Sequence, residues 1–487
     1  MIPTIKSGIC SIFHLSLPLI ILVFILAGEA PAVSVVKCDL IKDYNIDWKD
    51  LEVISQHWLN SCGDCNGADL DNSGTVNLVD FALFAPHWQA DPDLVYLWTF
   101  TEHQLTNTMN MLITDPSYAG TGNMYPRSVN PTTGKWYPAG TQWASGYLPG
   151  ALWYLYQRTS EQQWRSWAET WTAGLEGQKD RPGDHETGFI IPRSFGLGYK
   201  ITGNSAYKQV MIDAAANLIR YRYDPNAVIG CIKSWNGHRD VITQINYKYP
   251  VIIDGMMTLD LVFWASKNGG DPNLYAKAVS HANKTMANNV RPNGSVWQIV
   301  AYDPSGVVIK RLNKQGININ KPGIDNKDAT WSRGQAWGIY GFTIAYRETL
   351  DTNYLTTAKK CANYFIDHLP SDYVPYWDFN APDYPPSDPN SHLHRDSSAA
   401  AIAASGILEL STFVSGADKE KFQNAAINIL SSLASPAYLA DGTNSMGILL
   451  RGTGNGNPKF EGELDRSLMY GDHFFIEALM RYEDMFY

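Results

Sequence analysis

Beyond residue 94 the chain alternates two kinds of helical stretch. One kind is apolar and rich in small residues, as in Met256-Met-Thr-Leu-Asp-Leu-Val-Phe-Trp264 and Ala399-Ala-Ala-Ile-Ala-Ala-Ser-Gly-Ile-Leu-Glu409. The other opens on a polar cap and then an aromatic, as in Thr202-Gly-Asn-Ser-Ala-Tyr207, Gly270-Asp-Pro-Asn-Leu-Tyr275, Leu350-Asp-Thr-Asn-Tyr354 and Gly416-Ala-Asp-Lys-Glu-Lys-Phe422. The caps satisfy orphan amides at helix starts. A helix apolar all round belongs inside, and one with a single apolar face belongs outside. Repetition of the pair predicts helical hairpins with buried inner and exposed outer members. About six hairpins closed in a ring make an all-α, (α/α)6 barrel over residues 94–487; an open solenoid is the alternative. The loop-rich stretches 120–140, 224–250 and 303–329 then crowd one rim beside the inner-helix starts.

The N-terminus follows a different pattern. Lys6 precedes the apolar run Leu17–Ala27 and the site Ala30-Pro-Ala32, which predicts a secretory signal over residues 1–32 and a secreted or periplasmic protein. The run is short for a spanning helix. Residues 33–93 form a separate small unit. Asp69, Asp71, Ser73, Thr75, Asn77 and Asp80 carry oxygen donors at calcium-loop spacing around Gly74, and a helix ending in His87-Trp88 follows. Asp39, Asp43, Asn45, Asp47 and Asp50 repeat the spacing before a helix ending in His57-Trp58, with Ile41 and Tyr44 departing from the pattern. The pair resembles a dockerin-type tandem repeat. That resemblance implies an EF-hand-like attachment module, calcium as its ligand, and a cohesin-type or cell-surface partner. Acidic surface turns without metal are the alternative.

Composition narrows the function. Hydrophobic residues make up 45% and charged residues 18%, with Trp 16 and Tyr 27, which suits a large core and the handling of sugars. A net charge of −10 argues against a nucleic-acid partner. Any acidic substrate must therefore be held by local arginines and lysines. Of the six cysteines, Cys10 lies in the signal, while Cys38, Cys62 and Cys65 cluster where export permits a disulfide. Cys62-Gly-Asp-Cys65 has no second ligand pair for zinc, and His392 with His394 lacks one too.

The chemistry-bearing residues fall in the rim segments. Trp331-Ser-Arg-Gly-Gln-Ala-Trp337 offers a carboxylate-binding fork in Arg333, two indole faces for a sugar ring, and Gly334 where something must approach the backbone; a Trp-rich core helix with a surface Arg is the alternative. Asp254, after the aliphatic run Val251-Ile-Ile253, is placed where desolvation raises a carboxyl pKa, as a general acid requires; a helix N-cap is its structural alternative. Asp184, His185 and Glu186 gather just before a helix. Asp396, before Ser-Ser-Ala-Ala-Ala, reads as a cap.

In order along residues 94–487, His185-Glu-Thr-Gly-Phe189, Ile253-Asp-Gly-Met-Met257, Trp331–Trp337, Tyr376-Trp-Asp378, Arg395-Asp-Ser-Ser-Ala-Ala-Ala401 and Gly471-Asp-His-Phe-Phe475 resemble the unsaturated glucuronyl hydrolases of glycoside hydrolase family 88. The resemblance implies the (α/α)6 fold, no catalytic cofactor, and an acidic oligosaccharide substrate carrying a 4,5-unsaturated uronic acid. Asp254 then matches the general acid, with Glu186 at the position of the family's second aspartate. His185, Trp331, Arg333, Trp337, Gln315, Gln298 and Lys314 match substrate-contacting positions, Gln298 and Lys314 standing where the family has histidines. Two alternatives stand beside this reading. One is a two-carboxylate glycosidase acting on saturated glucuronides through Glu186 and Asp254. The other is a non-catalytic barrel that binds acidic glycans.

Overall fold

The computed structural model describes residues 35–42, 46, 48–62, 65–84, 92–118, 124–224, 226, 228–239, 245–313, 329–381, 393–455 and 463–487. The expected signal, the first-loop donors Asp43, Asn45 and Asp47, and Lys314, Gln315 and His392 lie outside the described residues.

Two compact units divide the chain: residues up to Glu102 with Leu155–Gln162, and His103–Tyr154 with Gln163–Tyr487. The first unit contains α1 (Val35–Cys38), α2 (Trp48–Gln56), α3 (Leu78–Phe84) and the opening of α4 (Pro92–Thr114). Asp50 Oδ1 accepts the amides of Leu40 (2.7 Å) and Ile41 (3.1 Å). Thirty positions later Asp80 Oδ1 accepts those of Leu70 (2.7 Å) and Asp71 (3.2 Å), so the sequence repeat is also a repeat of hydrogen bonding. Cys62 and Cys65 form a disulfide, and Cys38 is buried and free.

The second unit is the helical barrel. Its outer helices are the end of α4, α6 (Gln162–Ala173), α9 (Ser205–Arg222), α11 (Asn273–Asn289), α13 (Thr352–Asp367) and α15 (Gly416–Leu433). Each buries one face; in α13 this is Tyr354, Thr357, Ala358, Cys361, Ala362 and Phe365, an i, i+3, i+4 stripe. Asn204 and Asp351 cap α9 and α13 by accepting the amides of Ala206 and Asn353. The inner helices are α5 (Tyr147–Thr159), α7 (Thr187–Ile191) with α8 (Leu197–Thr202), α10 (Leu259–Lys267), α12 (Ser332–Thr349), α14 (Ser397–Ser411) and α16 (Met469–Phe486). α14 is buried at every position up to Leu408.

Close approaches between consecutive inner helices close the ring. A Cβ on Gly188 would meet Thr258 at 2.4 Å, one on Gly341 would meet Met256 at 2.3 Å, and one on Gly406 would meet Tyr340 at 3.2 Å. The circuit is completed where His473 Nδ1 on α16 donates to Tyr147 O on α5 at 3.2 Å, which excludes an open solenoid.

Strands correct the all-α expectation in one respect. The rim stretches carry antiparallel ribbons: β1 (Tyr125–Val129) with β2 (Trp136–Ala139), and the short pair β3 (His238–Arg239) and β4 (Asn246–Tyr247). A three-stranded sheet follows, of β5 (Tyr249–Ile252), β6 (Ile299–Tyr302) and β7 (Val308–Leu312). β6 is buried on both sides and pairs Ile252 with Ile299, which sets the segment leading into Asp254.

Candidate active site

The site is built from the N-terminal ends of the inner helices. After β5 the chain makes a 3-10 turn, Ile253–Thr258, anchored where Ile253 N donates to Gln298 O at 2.9 Å. Gly334, at the start of α12, lets two neighbours close in: a Cβ there would lie 2.7 Å from the Trp331 ring and 3.4 Å from Ile253. Asp254 is thereby fixed in the wall. Its Oδ2 is shut from solvent and meets no hydrogen-bond donor within the protein, while the residue as a whole stays partly exposed. Burial pushes its carboxyl up to about 7, against the opposing pull of its own amide and the Arg333 charge. A carboxyl poised there is half protonated at neutral pH and can give and retake a proton.

His185 and Glu186 lead into α7 beside it. Arg181 grips Asp184 with both arms (2.7 and 2.8 Å) and extends one nitrogen to Glu186 Oε2 at 2.8 Å. Burial, then the negative charge of Asp184, lifts Glu186 to about 7, opposed by Arg181, Arg127 and the Trp143 amide. Burial drops His185 to about 4 and His281 to about 3, so both rings are neutral at pH 7. His281 Nδ1 accepts the Ile232 amide at 3.0 Å, which leaves its proton on Nε2. That nitrogen and His185 Nδ1 face the same space beside Gly255, 3.0 and 3.6 Å from where a Cβ would sit.

Three expectations need correction. Arg333 is 2% exposed, and both of its terminal nitrogens are engaged within the protein. One terminal nitrogen donates to Asp396 Oδ2 (2.8 Å) and Thr453 O (2.7 Å), and the other donates to Gly454 O (2.6 Å). It is a buried tie between α12 and α14. Trp331 and Trp337 are 2% and 1% exposed and offer no open face to a sugar. The Arg333 guanidinium covers Trp331 at 4.7 Å, and Trp337 packs edge-on against Phe189 and Phe474. Gln298 is also buried (1% exposed), contributing its carbonyl to the Asp254 turn.

Another aromatic residue, Trp143, is the partly exposed one here. Trp143 is half-buried, 4.6 Å from the Tyr470 ring and in edge contact with Tyr147 and Phe189. The hydroxyls of Tyr147 and Tyr470 are buried without a protein partner. Tyr147 feels the Asp254 charge and Tyr470 the Arg333 charge. Buried polar atoms left without protein partners mark a place built for something to hydrogen-bond there. A lone Trp after a loop gave no periodic signal by which sequence reasoning could have found Trp143.

In the first unit, Asp69, Asp71 and Asp80 each bring a carboxylate oxygen within 4.8 Å of the others. The Ser73 amide donates to Asp69 and Asp71, the Gly74 amide to Asp69 and the Asn77 amide to Asp80, winding the loop around its acids. The Ser73 hydroxyl and the Asn77 side chain both turn to Thr75 O.

Comparison with known proteins gives the family. An unsaturated glucuronyl hydrolase of Formosa agariphila is 38% identical over 388 residues, 78% of this chain and 89% of that protein. One from a Bacillus species is 32% identical, covering 70% and 86%. An unsaturated chondroitin disaccharide hydrolase of Streptococcus pneumoniae is 29% identical, covering 75% and 86%. A crystal structure of an unsaturated glucuronyl hydrolase specific for heparin superposes with a TM-score of 0.68 at 32% identity, covering 80% of this chain and 97% of that one. The family model for Glycosyl Hydrolase Family 88 matches residues 122–485, which takes in every rim segment described above, and the chain belongs to that family.

Proposed function

We propose that this glycosidase removes a 4,5-unsaturated uronic acid from the non-reducing end of lyase-generated oligosaccharides, with Asp254 as its general acid and base. The observation that carries the reading is the Asp254 carboxyl, raised to about 7 by burial and next to Gly255, beside which the neutral imidazoles of His185 and His281 lie. The relatives' names point to the same class of substrate.

The chemistry begins at the enol ether C5=C4 of the uronate. Asp254 gives its proton to C4, and positive charge develops at C5, shared with the ring oxygen. The resulting carboxylate takes a proton from water as the water's oxygen bonds to C5. The hemiketal so formed opens, releasing the neighbouring sugar and an open-chain keto acid. One carboxyl suffices because each proton that it gives is recovered from the attacking water. Glu186, steadied by Arg181, is assigned to hold the sugar's hydroxyls; the half-buried Trp143 flanks the ring, and His185 contacts it as a neutral imidazole. The test is loss of the near-ultraviolet absorbance of an unsaturated uronide. Turnover of saturated glucuronides alone would replace this mechanism with two-carboxylate hydrolysis.

For the first unit we propose export by the residue 1–32 signal and attachment through the 33–93 repeat. Asp69, Asp71 and Asp80, with Ser73, Thr75 and Asn77 in the same loop, suit a hard cation with oxygen ligands. Calcium titration followed by helicity tests this; a flat response would remove the metal from the account.

A further inference from the structure

A second concavity lies outside the catalytic rim. Between α11, the sheet edge at β7, and α13 is a cavity of about 620 Å³. Such a volume takes one or two sugar units. The residues that define it chemically are Asn288, Arg291, Trp297, Arg311, Asn353 and Lys360, and among the described residues lining it there is no carboxylate. In a chain of net charge −10, three cations around one hollow form a local field opposite to that of the whole protein.

The arrangement is built and not only a scatter of surface charge. Arg311 donates from Nε to Asn288 O (2.9 Å) and from a terminal nitrogen to Asn288 Oδ1 (3.1 Å), neutral acceptors that orient the guanidinium and leave its charge intact. Arg291 lies on the half-buried indole of Trp297 at 3.8 Å and donates to Ala329 O and Val296 O. Lys360 extends from α13 with its side chain exposed. Cations suit sulfate or carboxylate groups, amides suit sugar hydroxyls, and an indole suits the face or edge of a pyranose.

The hollow is separate from the cleft. Trp297 lines the hollow, while the carbonyl of the next residue, Gln298, accepts the Ile253 amide that opens the Asp254 turn, and none of Asp254, His185, Glu186 and Trp143 lines the hollow.

We propose that this cavity is a second binding site, taking an internal sulfated or uronate-bearing segment of the glycan while the cleft takes an unsaturated end. The choice of a glycan rests on the proposed function; the preference for an anion rests on the cavity alone. The experiment is calorimetry of the full chain with a saturated, sulfated tetrasaccharide, which lacks the C4=C5 bond and so is not turned over. Turnover of an unsaturated disaccharide is measured on the same samples. Removing two charged donors by Arg311→Ala with Lys360→Ala should weaken tetrasaccharide binding by about tenfold or more. Disaccharide turnover should stay unchanged, and the wild-type affinity should fall with added salt. Equal affinity in wild type and variant would overturn the proposal. Competition by sodium sulfate as strong as by the tetrasaccharide would overturn the glycan assignment in favour of a simple anion site. Lys360→Glu alone, an exposed change, supplies the same comparison if the double variant melts early. Absence of disaccharide turnover in the wild type would count against the catalytic reading while leaving the binding comparison intact.

Discussion

Asp254 shows how much a single side chain can be set by its surroundings. With Oδ2 out of water and no donor on that oxygen, the protonated form persists to about pH 7. Two predictions follow from that position. Asp254→Asn should lower kcat/KM by roughly 10²–10⁴-fold, and the wild-type fall in activity above pH 7 should vanish from whatever residual rate remains. The second concerns stability. A carboxyl whose folded pKa is raised above its ordinary 3.8 stabilises the fold fully below that value and loses the contribution as pH rises through about 7. The melting temperature of Asp254→Asn should therefore match the wild type near pH 4 and exceed it increasingly up to pH 7–8. A gap that is constant with pH would mean that the wild-type carboxyl titrates normally. Asp254 was legible because an acid after an aliphatic run needs only local context. The Arg333 tie was not legible because its partner, Asp396, stands 63 positions later, and no local pattern reports it.

At the level of elements, the site is a property of helix starts. His185 and Glu186 precede α7, Asp254 precedes α10, Trp331 and Arg333 open α12, Asp396 caps α14 and Tyr470 opens α16. The alternation of apolar and capped helices made this arrangement readable, since inner-helix starts in a ring must face one rim. The rim strands were not readable: β3 and β4 are two residues each, too short for a period of two to show. The Arg333 tie gives a prediction at this scale. Asp396 spends Oδ1 on the amides of Ser398 and Ala399 and Oδ2 on Arg333, so one side chain both caps α14 and binds α12. Removing the guanidinium leaves a buried carboxylate and the carbonyls of Thr453 and Gly454 unpaired. Arg333→Ala should cost about 3–5 kcal/mol in denaturant unfolding, and Asp396→Asn should be strongly non-additive with it. A variant with unchanged stability and a raised KM would instead return Arg333 to the substrate.

Across the whole barrel the same helices are tied a second time, deeper down. Tyr154, Tyr340, Ser405 and Glu477 each stand seven or eight positions beyond the starts of α5, α12, α14 and α16, about 10–12 Å along the axis. Glu477 accepts hydroxyls from Tyr154 (2.6 Å), Tyr340 (2.9 Å) and Ser405 (2.6 Å), with Arg193 at 3.8 Å and Arg481 at 3.9 Å. Burial alone would raise this carboxyl, but Arg481 and Arg193 outweigh it and hold it well below the usual range. The contrast with Asp254 is instructive: both are buried acids on inner helices or their leads, and the difference in donors makes one a proton carrier and the other a permanent anion. A depressed folded pKa contributes stability that is present above the unfolded value and lost as pH falls through the folded one. Glu477→Gln, which leaves Arg193 and Arg481 facing a neutral amide, should therefore cost about 3–5 kcal/mol at pH 7. The deficit should shrink only once the pH falls below about 4, where an unfolded glutamate takes up its proton. Measured by denaturant midpoints across pH, a deficit that already disappears near pH 7 would show that Glu477 is protonated in the native barrel, and the network would then be held by neutral hydrogen bonds instead of by charge.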